Sequence, residues 1–240
     1  MTTAIIVQAR VGSTRLPGKV LLPLAGHTVL EEVLRRCRAI PGADLVVCAI
    51  PEGLADEVLV APAMRAGAMV TRGSASDVLQ RYRKAADEVG ADIVMRVTSD
   101  CPLIDPALCG EVLALRAARD VDYAANNMPP GFPHGLDCEA FTTAALRRAD
   151  EDARDPYERE HVTPWLRQSR SITRASLEGP GGDAMQQRWT IDFPEDYEFL
   201  CAAFGQLMTG MPIPEWRATL AAISTHSEIS TINAARRVRR

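Results

Sequence analysis

The stretch Ile5-Ile6-Val7-Gln8-Ala9-Arg10-Val11-Gly12-Ser13-Thr14-Arg15-Leu16-Pro17-Gly18-Lys19 decides the reading of this chain. A short apolar run breaks into a loop that holds two glycines, two hydroxyls, two arginines and a lysine. The run is placed to be the central strand of a sheet. The loop at its end is a place to hold phosphates, because glycine lets the backbone approach closely and the cations neutralise charge. The protein is therefore expected to handle a nucleotide or another polyphosphate. A surface turn with solvated cations competes with this reading, but Arg10, Arg15 and Lys19 are many charges for a turn alone. Two common phosphate loops are excluded. Five residues separate Gly12 from Gly18 where a Walker A loop has four, Val20 replaces its Ser or Thr, and the loop is not G-x-G-x-x-G.

Outward from this stretch, strand-like and helix-like segments alternate. Asp44–Ile50, Ala68–Thr71 and Asp92–Thr98 read as buried strands after Ala4–Gln8. Thr28–Ile40, Leu54–Arg65, Ser76–Val89 and Ala107–Ala118 read as helices between or after them. Thr28 followed by Glu31 forms a capping-box pattern, and Pro62 weakens the second half of its helix. Such alternation predicts an α/β fold with a mostly parallel sheet covered on both faces. Right-handed crossovers then gather the strand C-termini at one edge, where ligands bind. The loops at 9–19 and 99–103 lie at that edge.

The alternation breaks after Tyr123. The Pro-, Gly- and Asn-rich run 126–135 reads as a long ordered excursion. Cys138–Thr142, Ile172–Leu177 and Trp189–Asp192 are expected as strands, and Tyr157–Gln168 and Pro194–Phe204 as helices. The tail from Arg236 to Arg240 is expected to fray.

The length fits one domain over 1–240, with an excursion at about 125–165. The net charge of −4 supplies no global field for nucleic acid, whereas a small anion needs only the local charge of the first loop. Six scattered cysteines form no C-x-x-C and read as small buried hydrophobes in a reducing, cytoplasmic setting. No signal peptide or membrane span is expected.

Two aspartates stand at predicted strand ends. Asp100 follows the Asp92–Thr98 strand within Ser99-Asp100-Cys101-Pro102, and a carboxylate there can hold Mg2+ against phosphate oxygens. An Asx-turn is the alternative. Asp192, just before Pro194 and Glu195, could share that metal or cap the next helix. Glu195 and Asp196 suit the helix dipole. His134, Asp137, Glu139, Glu160 and His161 supply polar groups in and beyond the excursion, without zinc-ligand spacing.

Taken in order, these motifs resemble the cytidylyltransferases that activate acidic sugars, the acylneuraminate and 3-deoxy-manno-octulosonate enzymes. They match most closely the branch named after a spore-coat polysaccharide biosynthesis protein. The resemblance rests on residues 6–19, Arg72-Gly73-Ser74-Ala75-Ser76-Asp77, Arg96-Val97-Thr98-Ser99-Asp100-Cys101-Pro102, Gly135-Leu136-Asp137-Cys138-Glu139, Glu160-His161-Val162-Thr163 and Ile191-Asp192-Phe193-Pro194-Glu195. It implies a three-layer α/β/α nucleotidyltransferase fold of the glycosyltransferase-A kind. It also implies transfer of CMP from CTP to a sugar acid with release of pyrophosphate, and a homodimer whose excursion reaches the partner. Arg10, Lys19 and Asp100 would be catalytic. Ala9, Gly12, Ser13, Arg15, Arg72, Ser74 and Asp77 would join Arg10 and Lys19 around the nucleotide. Asn126, His134, Glu139 and Glu160 would line the acceptor pocket, and Asp100 and Asp192 would hold Mg2+. A glycosyltransferase using a nucleotide sugar and a non-catalytic nucleotide-binding protein are the alternatives.

Overall fold

The structure, a computed structural model, describes residues 1–207 and 213–237. In chain order the strands are β1 (Thr3–Gln8), β2 (Pro23–Leu24), β3 (His27–Thr28), β4 (Leu45–Pro51), β5 (Met69–Gly73), β6 (Ile93–Thr98), β7 (Tyr123–Ala125), β8 (Glu139–Thr142) and β9 (Arg174–Ser176). The α-helices are α1 (Val29–Cys37), α2 (Val60–Arg65), α3 (Val78–Glu88), α4 (Pro106–Arg119), α5 (Thr143–Asp152), α6 (Pro156–His161), α7 (Pro164–Gln168), α8 (Gly182–Met185), α9 (Pro194–Leu207), α10 (Trp216–Thr225) and α11 (Ser227–Ser230).

Seven strands form one sheet in the order β5-β4-β1-β6-β8-β7-β9, and β2 pairs with β3 apart from it. β1 lies between β4 and β6, parallel to both, as its unbroken apolar run anticipates. Gln8 is the register partner of Thr98, so the loops that follow β1 and β6 leave the sheet side by side. The sheet is mostly parallel, but β8 runs antiparallel to both β6 and β7.

Alternate β1 residues face opposite layers. Ile5 and Val7 pack with Leu30, Leu34, Ala63 and Cys109 from α1, α2 and α4. Ala4 and Ile6 pack with Leu79, Tyr82, Ala145 and Leu166 from α3, α5 and α7. These are the three layers α/β/α. A third cluster, with Trp189, Ile191, Phe199 and Trp216, anchors the C-terminal helices beside the strand-end edge.

The local signals hold where they have local causes. Thr28 Oγ1 accepts from Glu31 N while Glu31 returns a carboxylate to Thr28 N, completing the capping box. Other expectations depart from the structure. The segment 189–192 is not a strand; an isolated bridge joins Arg188 to His134, and the backbone groups that follow find separate loop partners. The helix expected over 157–168 is split into α6 and α7 at Val162, whose φ of 71° breaks the helical path. The helix expected over 54–65 begins as a 3-10 turn, Leu54–Leu59, so Pro62 falls in the first turn of α2, where its missing N–H costs little. Strand β7 and helices α5 and α10 complete the fold where the pattern gave no clear period. In the tail, Ala234–Arg236 forms a 3-10 turn, while residues 238–240 lie outside the described residues.

All six cysteines are free; five are buried and Cys201 is exposed. Burial pushes the Cys48 thiol up to about 12, so it is packing and not a nucleophile at neutral pH.

Candidate active site

The loop after β1 is held by its own backbone. Gly18, at φ 69°, turns the chain so that its N–H meets the Val11 carbonyl at 3.2 Å. Ser13 Oγ accepts from Leu16 N at 3.3 Å, and Asp56 accepts from Val11 N at 2.7 Å. A Cβ added at Gly12 would meet nothing within 4 Å, which leaves that backbone open to the cleft.

That cleft, about 580 Å3, runs between the loop and the ends of β1 and β6. Ala9, Arg10, Gly12, Ser13, Arg15, Lys19, Asp100, Glu160 and Asp192 all line it. Nine of the sequence-predicted site residues thus converge. Lys19 is the centre: its Nζ donates to Asp100 Oδ2 at 2.7 Å, to the Ile191 carbonyl at 2.6 Å and to Asp192 Oδ1 at 3.1 Å. Burial works against the Lys19 charge, but Asp100 and then Asp192 overcome it and raise its pKa. Burial likewise opposes ionisation of Asp100, and Lys19 overcomes it, so the carboxyl is held below its usual range.

Asp192 is shared among three cations. Arg15 Nη2 reaches Oδ1 at 2.7 Å beside Lys19, and Arg188 Nη2 reaches Oδ2 at 2.9 Å. Helix capping falls instead to Asp196, whose Oδ2 accepts the N–H groups of Asp192 and Phe193, each at 3.0 Å. Arg188 also bonds Asp196 Oδ1 at 2.8 Å, and Asn233 joins Asp196 to the Arg188 carbonyl. Ile191 N donates to the Asp100 carbonyl at 2.9 Å. The two aspartates are thereby tied together through backbone as well as through Lys19.

Arg10 is exposed and, among the described residues, forms no ion pair; its charge is felt by Arg81. It is a free cation at the cleft mouth.

The other predicted residues sit elsewhere. Arg72 pairs with Glu57 through two hydrogen bonds at 2.6 and 2.8 Å, on the surface. Ser74 Oγ accepts from Asp77 N. Asp77 caps α3 through Gln80 N and binds Arg159 of α6, so it places the helix that carries Glu160 and His161 to the cleft. Asn126 clips the excursion, donating to Leu136 O at 2.8 Å and accepting from Cys138 N at 2.9 Å. His134 lies behind Asp192, with Nδ1 3.3 Å from Arg188 Nη1. The next residue, Gly135 at φ 111°, has no room for a Cβ, which would fall 2.7 Å from the Trp189 backbone. Glu139 is buried between Arg96, Arg167 and Tyr123.

Gln8, Arg81, Thr98 and His161 line the cleft without having been singled out for the nucleotide. Arg81 carried a signal: it lies three residues after Val78 on the apolar face of α3, where a charge has no solvent. Among the described residues its Nε and the Oε1 of Gln8 are buried without a hydrogen-bond partner. Such orphans at a cleft are groups that a ligand can satisfy.

A sequence model of the family described as cytidylyltransferase matches residues 4–210. The chain therefore belongs to the cytidylyltransferase family, and it is a nucleotidyltransferase enzyme. It is 34% identical over 209 residues to the spore coat polysaccharide biosynthesis protein SpsF of Bacillus subtilis, covering 83% of this chain and 85% of that one. A solved cytidylyltransferase from Leptospira borgpetersenii superposes with a TM-score of 0.89 at 32% identity, over 96% of this chain and 97% of that one. The CMP:2-keto-3-deoxy-manno-octonic acid synthetase solved with CTP shares the fold at a TM-score of 0.67 and 18% identity, over 86% and 99%. Among the described residues no helix is long and apolar enough to cross a membrane.

Proposed function

We propose that this enzyme transfers CMP from CTP to a hydroxyl of an acidic sugar and releases pyrophosphate, in the making of a surface polysaccharide or related glycan. The observation that carries the reading is the convergence of Asp100 and Asp192 on one cation, Lys19, beneath a cationic loop at the strand-end edge. The relatives named for cytidylyl transfer and for spore-coat polysaccharide support it.

The residues fit a divalent metal. Two hard carboxylates with converging oxygens, completed by phosphate oxygens and water, are the donor set that Mg2+ takes. Among the described residues no cluster of three protein ligands exists, which leaves coordination positions for phosphate oxygens and water. Asp100 and Asp192 would hold the ion, which supplies charge stabilisation at the phosphates when bound.

The remaining work falls to the chain. Arg10 and Lys19 neutralise the triphosphate, with Arg15 beside them. Backbone N–H groups near Gly12 and Ser13 cradle it, and Ala9 lies at the start of that cradle. Attack on the α-phosphorus is in line, and the protein chiefly positions and stabilises charge. Arg188 holds Asp192 in place, and Asp77 holds α6 through Arg159. The reading includes a cytoplasmic homodimer with residues of about 125–165 at the partner.

Purified protein given CTP, UTP, GTP and ATP with Mg2+ and a panel of sugar acids tests it. Pyrophosphate release with CTP above the other nucleotides is expected. No release and no nucleotide binding overturns it, and nucleoside diphosphate as product assigns the chain to transfer from a nucleotide sugar.

A further inference from the structure

Phe193 follows Asp192 directly, and it is half-buried. Among the described residues it belongs to none of the three apolar clusters. Three guanidinium groups gather on its ring instead. Those of Arg236, Arg15 and Arg188 lie 4.1, 5.1 and 5.9 Å from the ring centroid. A ring outside the core attracts cations through the negative face of its π system. Two of these cations, Arg15 and Arg188, also hold the Asp192 carboxylate.

The two differ in how far they need the ring. Arg188 is buried and bonds both Asp192 and Asp196, so carboxylates fix it. Arg15 is exposed on the loop at 9–19, and among the described residues its only hydrogen bond goes to Asp192 Oδ1. One bond leaves a long side chain much of its rotamer freedom. The ring supplies a second point of support. It is braced in turn from near the end of the chain. Arg236 lies over it and pairs with Glu195 at 3.0 Å. Asn233, fully buried, anchors that segment by donating to the Arg188 carbonyl at 2.8 Å and to Asp196 Oδ1 at 3.2 Å. Neither Asn233 nor Arg236 lines the cleft, yet both touch the groups that hold Asp192 and Arg15.

We propose that Phe193 is a positioning residue for Arg15 and that Arg236 braces Phe193, so that the C-terminal segment sets the aim of a triphosphate-binding cation from outside the cleft. The assignment deepens the nucleotide reading of the cleft and rests on it. Phe193 touches no substrate; it holds the Arg15 guanidinium beside Asp192, where the triphosphate arrives. Such a support lowers the ordering cost of binding and acts equally in ground and transition states, so it shows in KM and not in kcat. A cation–π contact at an exposed site changes affinity by about two- to fivefold.

Calorimetric titration with CTP and Mg2+, and separately with inorganic tripolyphosphate, tests this. Phe193→Leu keeps an apolar side chain, so its urea midpoint should stay near wild type while both ligands bind about two- to fivefold more weakly. KM for CTP should rise by the same factor, with kcat within about twofold. Phe193→Trp keeps a ring face and should recover the affinity. Arg236→Gln leaves the ring in place and should weaken both ligands in the same direction. Arg217→Gln removes a cation 4.6 Å from the Trp216 centroid, a pair that does not line the cleft, and should change neither affinity. In an Arg15→Gln background, Phe193→Leu should cost no further affinity. The side-chain resonances of Arg15, assigned by their loss in Arg15→Gln, should carry a ring-current displacement that Phe193→Leu abolishes. Unchanged affinity in Phe193→Leu, a loss that Phe193→Trp does not recover, or an equal loss in the Arg15→Gln background overturns the positioning role. Wild-type affinity in Arg236→Gln overturns the part given to the C-terminal segment. If the wild type binds tripolyphosphate but not CTP, and that affinity follows Phe193 and Arg15, the nucleotide reading falls and the positioning role stands. Binding of neither ligand overturns both.

Discussion

Lys19 Nζ lies 2.7 Å from Asp100 Oδ2, an ion pair between residues 81 positions apart in the chain. The lysine expected to meet phosphate is thus held by a carboxylate expected to meet metal, and Asp192 completes the same contact. Asp192 is also held by Arg15 and Arg188, so Lys19 is the charge that Asp100 and Asp192 share between them. If Asp100 and Asp192 held a divalent ion, Lys19 would be left to neutralise phosphate charge beside them.

Replacing Lys19 by Met should lower kcat by roughly 100–1,000-fold, the usual effect of losing one pre-placed charge. The same change removes the group that depresses the Asp100 pKa. Lys19 holds the wild-type Asp100 carboxyl below its usual range, so the acid limb of the kcat profile should move to higher pH in Lys19→Met. A pH profile of pyrophosphate release measures both effects, and an unmoved limb would disconnect Lys19 from Asp100 in turnover.

Asp100→Asn and Asp192→Asn should each lose about 100–1,000-fold in kcat, and both should need more Mg2+ for half-maximal rate. Rates across a Mg2+ series at saturating CTP read this directly. Full turnover in both variants would refute the metal assignment.

Chelation by EDTA should stop pyrophosphate release and leave the melting temperature of the nucleotide-free protein nearly unchanged. Among the described residues no group of three His, Cys, Asp or Glu side chains could hold an ion, so the metal is expected to belong to the substrate complex more than to the fold. Differential scanning fluorimetry beside the activity assay would show a large thermal shift if the ion were structural.

Glu139 should govern acid stability. Burial disfavours its charge, but Arg96 and then Arg167 overcome this and hold the carboxyl at about 2. The unfolded value is about 4.3, so the stabilisation is complete above that pH and is lost as pH falls toward about 2. It amounts to about 3 kcal/mol at neutral pH, an order-of-magnitude value. Glu139→Gln should destabilise by about 3–5 kcal/mol at pH 7, because two guanidinium groups lose their partner. Its urea midpoint should then fall less between pH 5 and pH 3 than that of the wild type.

Asp196→Ala should lower stability by about 3 kcal/mol, since buried Arg188 keeps only Asp192 as its carboxylate partner and the start of α9 loses its cap. Glu195→Ala, next door on the surface, should leave the urea midpoint close to wild type. Equal effects of the two substitutions would contradict the capping geometry.

The expected strand-end edge, the capping box at Thr28 and the loop at 9–19 were readable because each has a cause within a few neighbouring residues. Asp100 and Lys19 were readable for the same reason: strand, then loop, then charge. Asp192 was assigned to the right place through a strand that does not exist, since its neighbours bond to three separate loops. Glu139 was expected at the acceptor pocket from the resemblance and from its place in the polar excursion. The structure buries it behind Arg96 and Arg167, a pairing that depends on α7 folding back over β8. Asp196 read only as an acid suited to the helix dipole, and Arg188 was not singled out; the structure joins both to Asp192.

By itself, then, the sequence determined the layers, the inner strand and the cationic loop, because apolar period and turn chemistry act over short distances. Tertiary structure alone decided that Lys19 joins Asp100 to Asp192, and that Arg96 and Arg167 share Glu139. Lys19 meets its carboxylates across 81 and 173 residues of chain, and Arg96 and Arg167 meet Glu139 across 43 and 28; only the packed sheet and its covering helices bring such charges within hydrogen-bonding distance.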